Sequence, residues 1–113
     1  MAGGRQREQV ADLLRAVGQE TRLAILEALR HGESCVSDLG RLTGHGQSNI
    51  SKHLAFLRRA GVLAASRRGL HVFYRVAGPE VFALLDAAQA LLARGVAGVT
   101  LPLRQERQSA VGR

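Results

Sequence analysis

Within two helical turns, Gln47, Ser48, Asn49, Ser51, Lys52 and His53 gather amide, hydroxyl, ammonium and imidazole groups on one stretch of chain. Amides and hydroxyls pair with base edges in a DNA major groove, Lys pairs with phosphate, and a helix fits that groove. A face of that kind needs a buried one behind it. Ile50, Leu54, Leu57 and Ala60 recur at steps of three and four residues and supply the stripe. A merely solvated helix surface has the same polarity, so the flanking elements must decide between the two readings.

Upstream, Cys35–Leu42 carries apolar residues at 36, 39 and 42, the spacing of a short helix, and Thr43-Gly44-His45-Gly46 breaks it with two glycines. That is the pattern of a helix-turn-helix. Downstream, Val62–Arg67 and His71–Val76 flank Arg68-Gly69-Leu70, and the second run is β-branched and aromatic, as a hairpin with a basic tip would be. The expected fold is therefore mainly α with a small β-hairpin: a winged helix-turn-helix of about five helices plus a two-stranded wing. Arg67, Arg68 and His71 of the wing join the candidate DNA contacts as partners for the backbone of the same duplex.

The remaining helices must position this motif. Val10, Leu13, Leu14 and Val17 set the period of a first helix ending near Gly18, and Leu23, Ile25, Leu26 and Leu29 that of a second, stopped by His31-Gly32. After the wing, Gly78-Pro79 starts a last helix whose period runs through Val81, Leu84, Leu85, Ala88, Leu91 and Leu92 to Arg94-Gly95. The expected organisation is a flexible tail over residues 1–7, one DNA-binding and dimerisation domain over 8–95, and a second flexible tail over 96–113.

With 113 residues there is room for one modest core, and 4% aromatic residues with no Trp mean that Leu, Val and Ala must build it. A formal charge of +7 favours a polyanionic partner, which for a helix-turn-helix is DNA. The single Cys cannot form an intrachain disulfide and suits a reducing cytoplasm. Met1–Arg7 is too polar for a signal peptide, and Val81–Leu92 is too short for a membrane span, so no membrane partner is expected. Ser37, Ser48 and Ser51 have His45 and His53 nearby in sequence, but there is no nucleophile elbow, phosphate loop or second carboxylate cluster, and no enzyme is expected.

Taken together, Thr21–Leu29, Gln47–Leu54 with Leu57–Leu63, and Gly69–Tyr74 resemble the ArsR/SmtB transcriptional repressors, in order and spacing, over roughly residues 8 to 92. The resemblance implies a homodimer that sits on operator DNA and leaves it when a metal ion or an oxidant binds. It also implies that the first and last helices pack across the dimer two-fold, through Val10, Leu13, Leu14 and Val17 and through Leu84, Leu85, Ala88, Leu91 and Leu92.

Effector chemistry departs from the family pattern. Where some members carry Cys-x-Cys, this chain has Cys35 and Ser37; where others carry Asp and His on the last helix, Asp86 is followed by Ala87 and Ala88. One thiolate per chain cannot give arsenite its three sulfurs. The remaining ligand candidates are His31, Cys35, His45, His53 and His71, of which His45 and His53 suit DNA as well as metal and His71 a hairpin or phosphate contact. His31 and Cys35 stand four residues apart, with Glu33 between them and Asp86 further on, a set that would suit nickel or zinc better than thiophilic ions. Cys35 as a small buried hydrophobe is the competing structural reading. Alternatively the chain supplies DNA recognition only, and a co-regulator protein supplies the response.

Overall fold

The computed structural model describes residues 2–95; the tail expected over 96–113 lies outside them. In chain order the elements are α1 (Ala2–Val17), α2 (Glu20–Ala28) with a 3-10 turn at Leu29–His31, β1 (Ser34–Cys35), α3 (Val36–Thr43), α4 (Gln47–Arg59), β2 (Leu63–Arg68), β3 (His71–Val76) and α5 (Glu80–Arg94). The chain divides into two compact units, Met1–Phe82 and Ala83–Arg113.

The first unit holds the helix-turn-helix and the sheet. Ile25, Leu26, Leu39, Ile50, Leu54 and Leu57 are all fully buried, and Ala16, Val17, Leu29, Val62 and Leu63 close the core around them. Every one of these is aliphatic, as the shortage of aromatics requires. At about 1.5–3 kcal/mol for each large side chain fully buried, this set is the main source of folding energy for the unit.

Local chemistry starts and stops the helices. The Gln19 side chain accepts from the Arg22 amide at 2.8 Å and caps α2. At the far end of α3, Gly44 takes a left-handed φ of 79° and its amide donates to the Gly40 carbonyl at 2.8 Å, so the chain turns at once towards α4. Thr43 Oγ1 donates to the Leu39 carbonyl at 2.7 Å and occupies another carbonyl of the last turn.

In the wing, Arg68 pairs with His71, leaving Gly69 and Leu70 as a two-residue turn with positive φ at Gly69 alone. That is what a Gly-first type II′ hairpin requires. The expected two-stranded wing is β2 and β3, and β1 adds a third strand to their sheet, pairing antiparallel with β3 through Ser34–Tyr74 and Cys35–Phe73 in the order β1-β3-β2. A strand of two residues has no alternation to betray it in the sequence.

The helix α1 begins at Ala2, so residues 2–7, expected as a flexible tail, are helical. Gly3 and Gly4 hid this, but Arg5, Gln6, Arg7, Glu8 and Gln9 are good to fair helix formers that carry the helix upstream of its apolar stripe. In the second unit, α5 buries Leu85 and leaves Leu91 and Leu92 half exposed. No helix among the described residues is long and apolar enough to cross a membrane.

Candidate nucleic-acid interface

Ile50, Leu54 and Leu57 are fixed in the core and thereby set the rotation of α4 about its axis. With that stripe turned inward, Gln47, Ser48, Ser51 and Lys52 are exposed on the first two turns, while Asn49 and His53 are half-buried. The helix therefore presents the polar set expected of a reading face, and two of its six members are partly sheltered.

The shelter of His53 has a defined cause. Arg22, from the first turn of α2, places Nη1 3.2 Å from His53 Nδ1. The same guanidinium donates through Nε to the Ala16 carbonyl at 2.5 Å and through Nη2 to the Arg15 carbonyl at 3.3 Å. It also lies over the Phe56 ring, 4.3 Å from the centroid. Desolvation holds the His53 pKa below its ordinary 6.5, helped by the positive charges of Arg22 and Lys52 and by His45. Beside this junction a groove of about 610 Å³ is lined by Asp12, Arg15, Gln19, Arg22, Phe56 and Arg59.

Arg22 was not among the residues expected to matter. A signal was present in the sequence, because a cation in the first turn of a helix opposes the helix dipole and so needs a partner elsewhere.

The wing does not present its two arginines alike. Register pairs Ser66 with Phe73, Arg67 with Val72 and Arg68 with His71, so Ser66, Arg68, His71 and Phe73 share one face of the ribbon and Arg67 takes the other. On the first face, Arg68 is paired with Glu33, donates to Ser66 Oγ at 3.5 Å and stacks on Phe73, 4.5 Å from its centroid. His71 meets Phe73 edge-on at 6.3 Å. Arg67 and Arg68 thus lie on opposite faces of the ribbon, and Arg68 is already paired with Glu33.

The metal candidates are dispersed. Glu33 is engaged by Arg68, Cys35 Sγ lies 3.5 Å from Ser37 Oγ, and His31 is exposed beyond the end of α2. Among the described residues no three His, Cys, Asp or Glu side chains gather into a group able to hold a metal ion. His31, Cys35, Glu33 and Asp86 are thus not gathered into such a group among the described residues.

Of the residues expected at a dimer interface, Val10, Leu13 and Leu14 on α1 are 47%, 37% and 46% exposed, and Leu91 and Leu92 on α5 are 53% and 50% exposed. Val17 is buried in the core of the first unit, and Leu85, in the second, is buried too. Leu84 is half-buried and Ala88 exposed.

Comparison with known proteins decides what this arrangement belongs to. The family described as bacterial regulatory protein, arsR family, matches residues 19–65, from the cap of α2 into β2. The HTH-type transcriptional regulator Rv0081 of Mycobacterium tuberculosis is 38% identical over 85 residues, covering 74% of this chain and 75% of that one. The chain belongs to the ArsR family. Its members are transcriptional regulators rather than enzymes, and the winged helix-turn-helix is their DNA-binding fold.

The NmtR regulator of Mycobacterium tuberculosis is 39% identical over 80 residues, 71% of this ArsR-family chain and 67% of NmtR. Among solved structures, the homodimeric winged helix-turn-helix DNA-binding domain of Mb0332 from Mycobacterium bovis matches with a TM-score of 0.77 at 28% identity, covering 88% of this chain and 92% of that one. The Rv0081 crystal structure matches with a TM-score of 0.75 at 34% identity, covering 82% and 94%.

Proposed function

We propose that this ArsR-family regulator is a cytoplasmic, dimeric repressor that binds an inverted-repeat operator, with the first two turns of α4 entering the major groove. The observation that carries the reading is the division of α4: Ile50, Leu54 and Leu57 wholly buried on one side, Gln47, Ser48, Ser51 and Lys52 exposed on the other. Gln47, Ser48, Asn49 and Ser51 supply donors and acceptors for base edges, Lys52 pairs with phosphate, and His53 offers a ring nitrogen. Arg67 and His71 reach backbone from the wing, and Arg68 joins them once it leaves Glu33.

Dimerisation is supported by the exposed leucines and valine of α1 and by the exposed leucines of α5, and Mb0332, whose domain is homodimeric, has the same fold. Half-sites then lie about one helical turn apart, or a simple multiple of it. Binding of labelled promoter fragments by anisotropy, combined with sedimentation at micromolar concentration, tests both parts. A monomer, or equal affinity for promoter and scrambled duplex, removes the reading.

For the effector, nickel or zinc held through His31 and Cys35, with Glu33 or Asp86, is one reading. The dispersion of these donors favours the second, in which a co-regulator protein supplies the response and this chain supplies the DNA contacts. Calorimetry with nickel and with zinc on the parent and on His31→Ala and Cys35→Ser separates them. Binding lost in both variants restores the direct metal reading, and no binding in the parent leaves the co-regulator.

A further inference from the structure

We propose that Arg22 is a positioning residue for DNA recognition: it holds His53 as the neutral tautomer protonated on Nε2, so that this ring offers a duplex one N–H donor and no acceptor. The proposal rests on the reading of α4 as the helix that enters the groove.

A guanidinium has five N–H groups and no acceptor, so at the 3.2 Å contact Arg22 Nη1 must donate and His53 Nδ1 must accept. The ring proton is then on Nε2. The guanidinium is not free to swing away, because two further N–H groups are spent on the Ala16 and Arg15 carbonyls at the end of α1 and its plane rests on Phe56. Phe56 lies three residues after His53 on the same helix, so one cation grips α4 at two neighbouring positions and ties both to α1 and α2.

Protonation of His53 would set an N–H on Nδ1 against an N–H of Arg22 and a cation against a cation. The charged or titratable groups acting on the ring are Arg22 from α2, Lys52 from its own helix and His45 from the turn before it, and none of them favours the imidazolium. On α1, Asp12 is engaged by Arg15. Acidification therefore breaks the pair and releases the ring. A side chain that reads one acceptor on a base or phosphate at pH 7.5 loses its fixed orientation below its pKa, and the helix loses one of its discriminating contacts.

Imidazole nitrogen shifts of 15N-labelled parent protein test the tautomer without DNA and without a mutation. At pH 7.5 His53 should show a protonated Nε2 and a bare Nδ1, without averaging, and should titrate below 6.5. Arg22→Met keeps an aliphatic stem against Phe56 and removes the donor; it should give averaged nitrogens and a midpoint moved up. A parent ring protonated on Nδ1, or an Arg22→Met ring unchanged from the parent, overturns the proposal. The second arm compares operator with scrambled duplex. His53→Gln should lower the preference for operator by roughly two- to tenfold, the effect of one hydrogen bond, and should abolish the fall in preference between pH 7.5 and 5.5 expected of the parent. Parent-like preference in His53→Gln overturns the recognition role of the ring. Gln47→Ala is the control for the underlying reading: if it too binds as the parent does, α4 is not the reading helix, whatever the tautomer.

Discussion

The carboxylate of Glu33 holds the guanidinium of Arg68, joining the segment before β1 to the tip of the wing across 35 positions of sequence. Under the proposed DNA contact of Arg68, this carboxylate competes with phosphate for the same cation. Glu33→Gln should therefore bind every duplex a few-fold more tightly, with a salt dependence steeper by about one ion, as expected when one more cation becomes available to phosphate. Anisotropy titrations at two salt concentrations read both quantities. Unchanged affinity and slope would mean that Arg68 never meets the backbone.

Leu54 is 0% exposed and lies in the core, behind the polar side of α4. Leu54→Ala should cost about 2–5 kcal/mol of stability, the range for removing a fully buried leucine side chain. Urea denaturation followed by circular dichroism measures it. A cost well under 1 kcal/mol would show that α4 is not anchored by this stripe.

Gly44 ends α3 with φ at 79°, where a Cβ meets no neighbour within 4 Å. The cost of Gly44→Ala is thus conformational rather than steric against the rest of the fold, about 1–2 kcal/mol for an L-residue forced left-handed. The melting temperature should fall while the structure is kept. A variant as stable as the parent would indicate that the turn has another conformation in solution.

Because His53 has its pKa lowered, chiefly by desolvation and then by Arg22, Lys52 and His45, the native state favours the neutral ring. The sign follows from linkage: the unfolded chain takes up the proton first, so stability is full above the ordinary 6.5, declines as pH falls from there through the folded value, and is flat below it. His53→Gln should show a smaller loss between pH 7.5 and 5.5 than the parent in denaturant titrations at the two pH values. Equal losses would place the pH sensitivity elsewhere.

What could be read from the sequence, and what could not, divides by distance along the chain. The buried stripe of α4, the glycine turn before it and the basic hairpin all express local periodicity and lie where spacing put them, except that Ala60, expected in the stripe, is exposed at the cap just past the helix. The two-residue β1 is too short to have a period. The start of α1 is masked by Gly3 and Gly4. The pairs that give the interface its character, Arg22 with His53 and Glu33 with Arg68, join residues 31 and 35 apart, and nothing in a local window connects them. Arg68 therefore looked like a free cation in the sequence and is a paired one in the fold. Cys35 looked like half of a lost ligand pair and is the end of a strand.

The register of β1 gives the wing the mechanics of a cantilever. β1 reaches only Phe73 and Tyr74 of β3, so the ribbon is three strands wide at its middle, level with Ala65 and Ser66, and two strands wide from Arg67 and Val72 outward to the Gly69-Leu70 tip. A two-stranded ribbon is marginal alone and a three-stranded one is much stiffer. Bending is thereby easier in the outer span, while the middle of the ribbon stays tied through β1 to the start of α3.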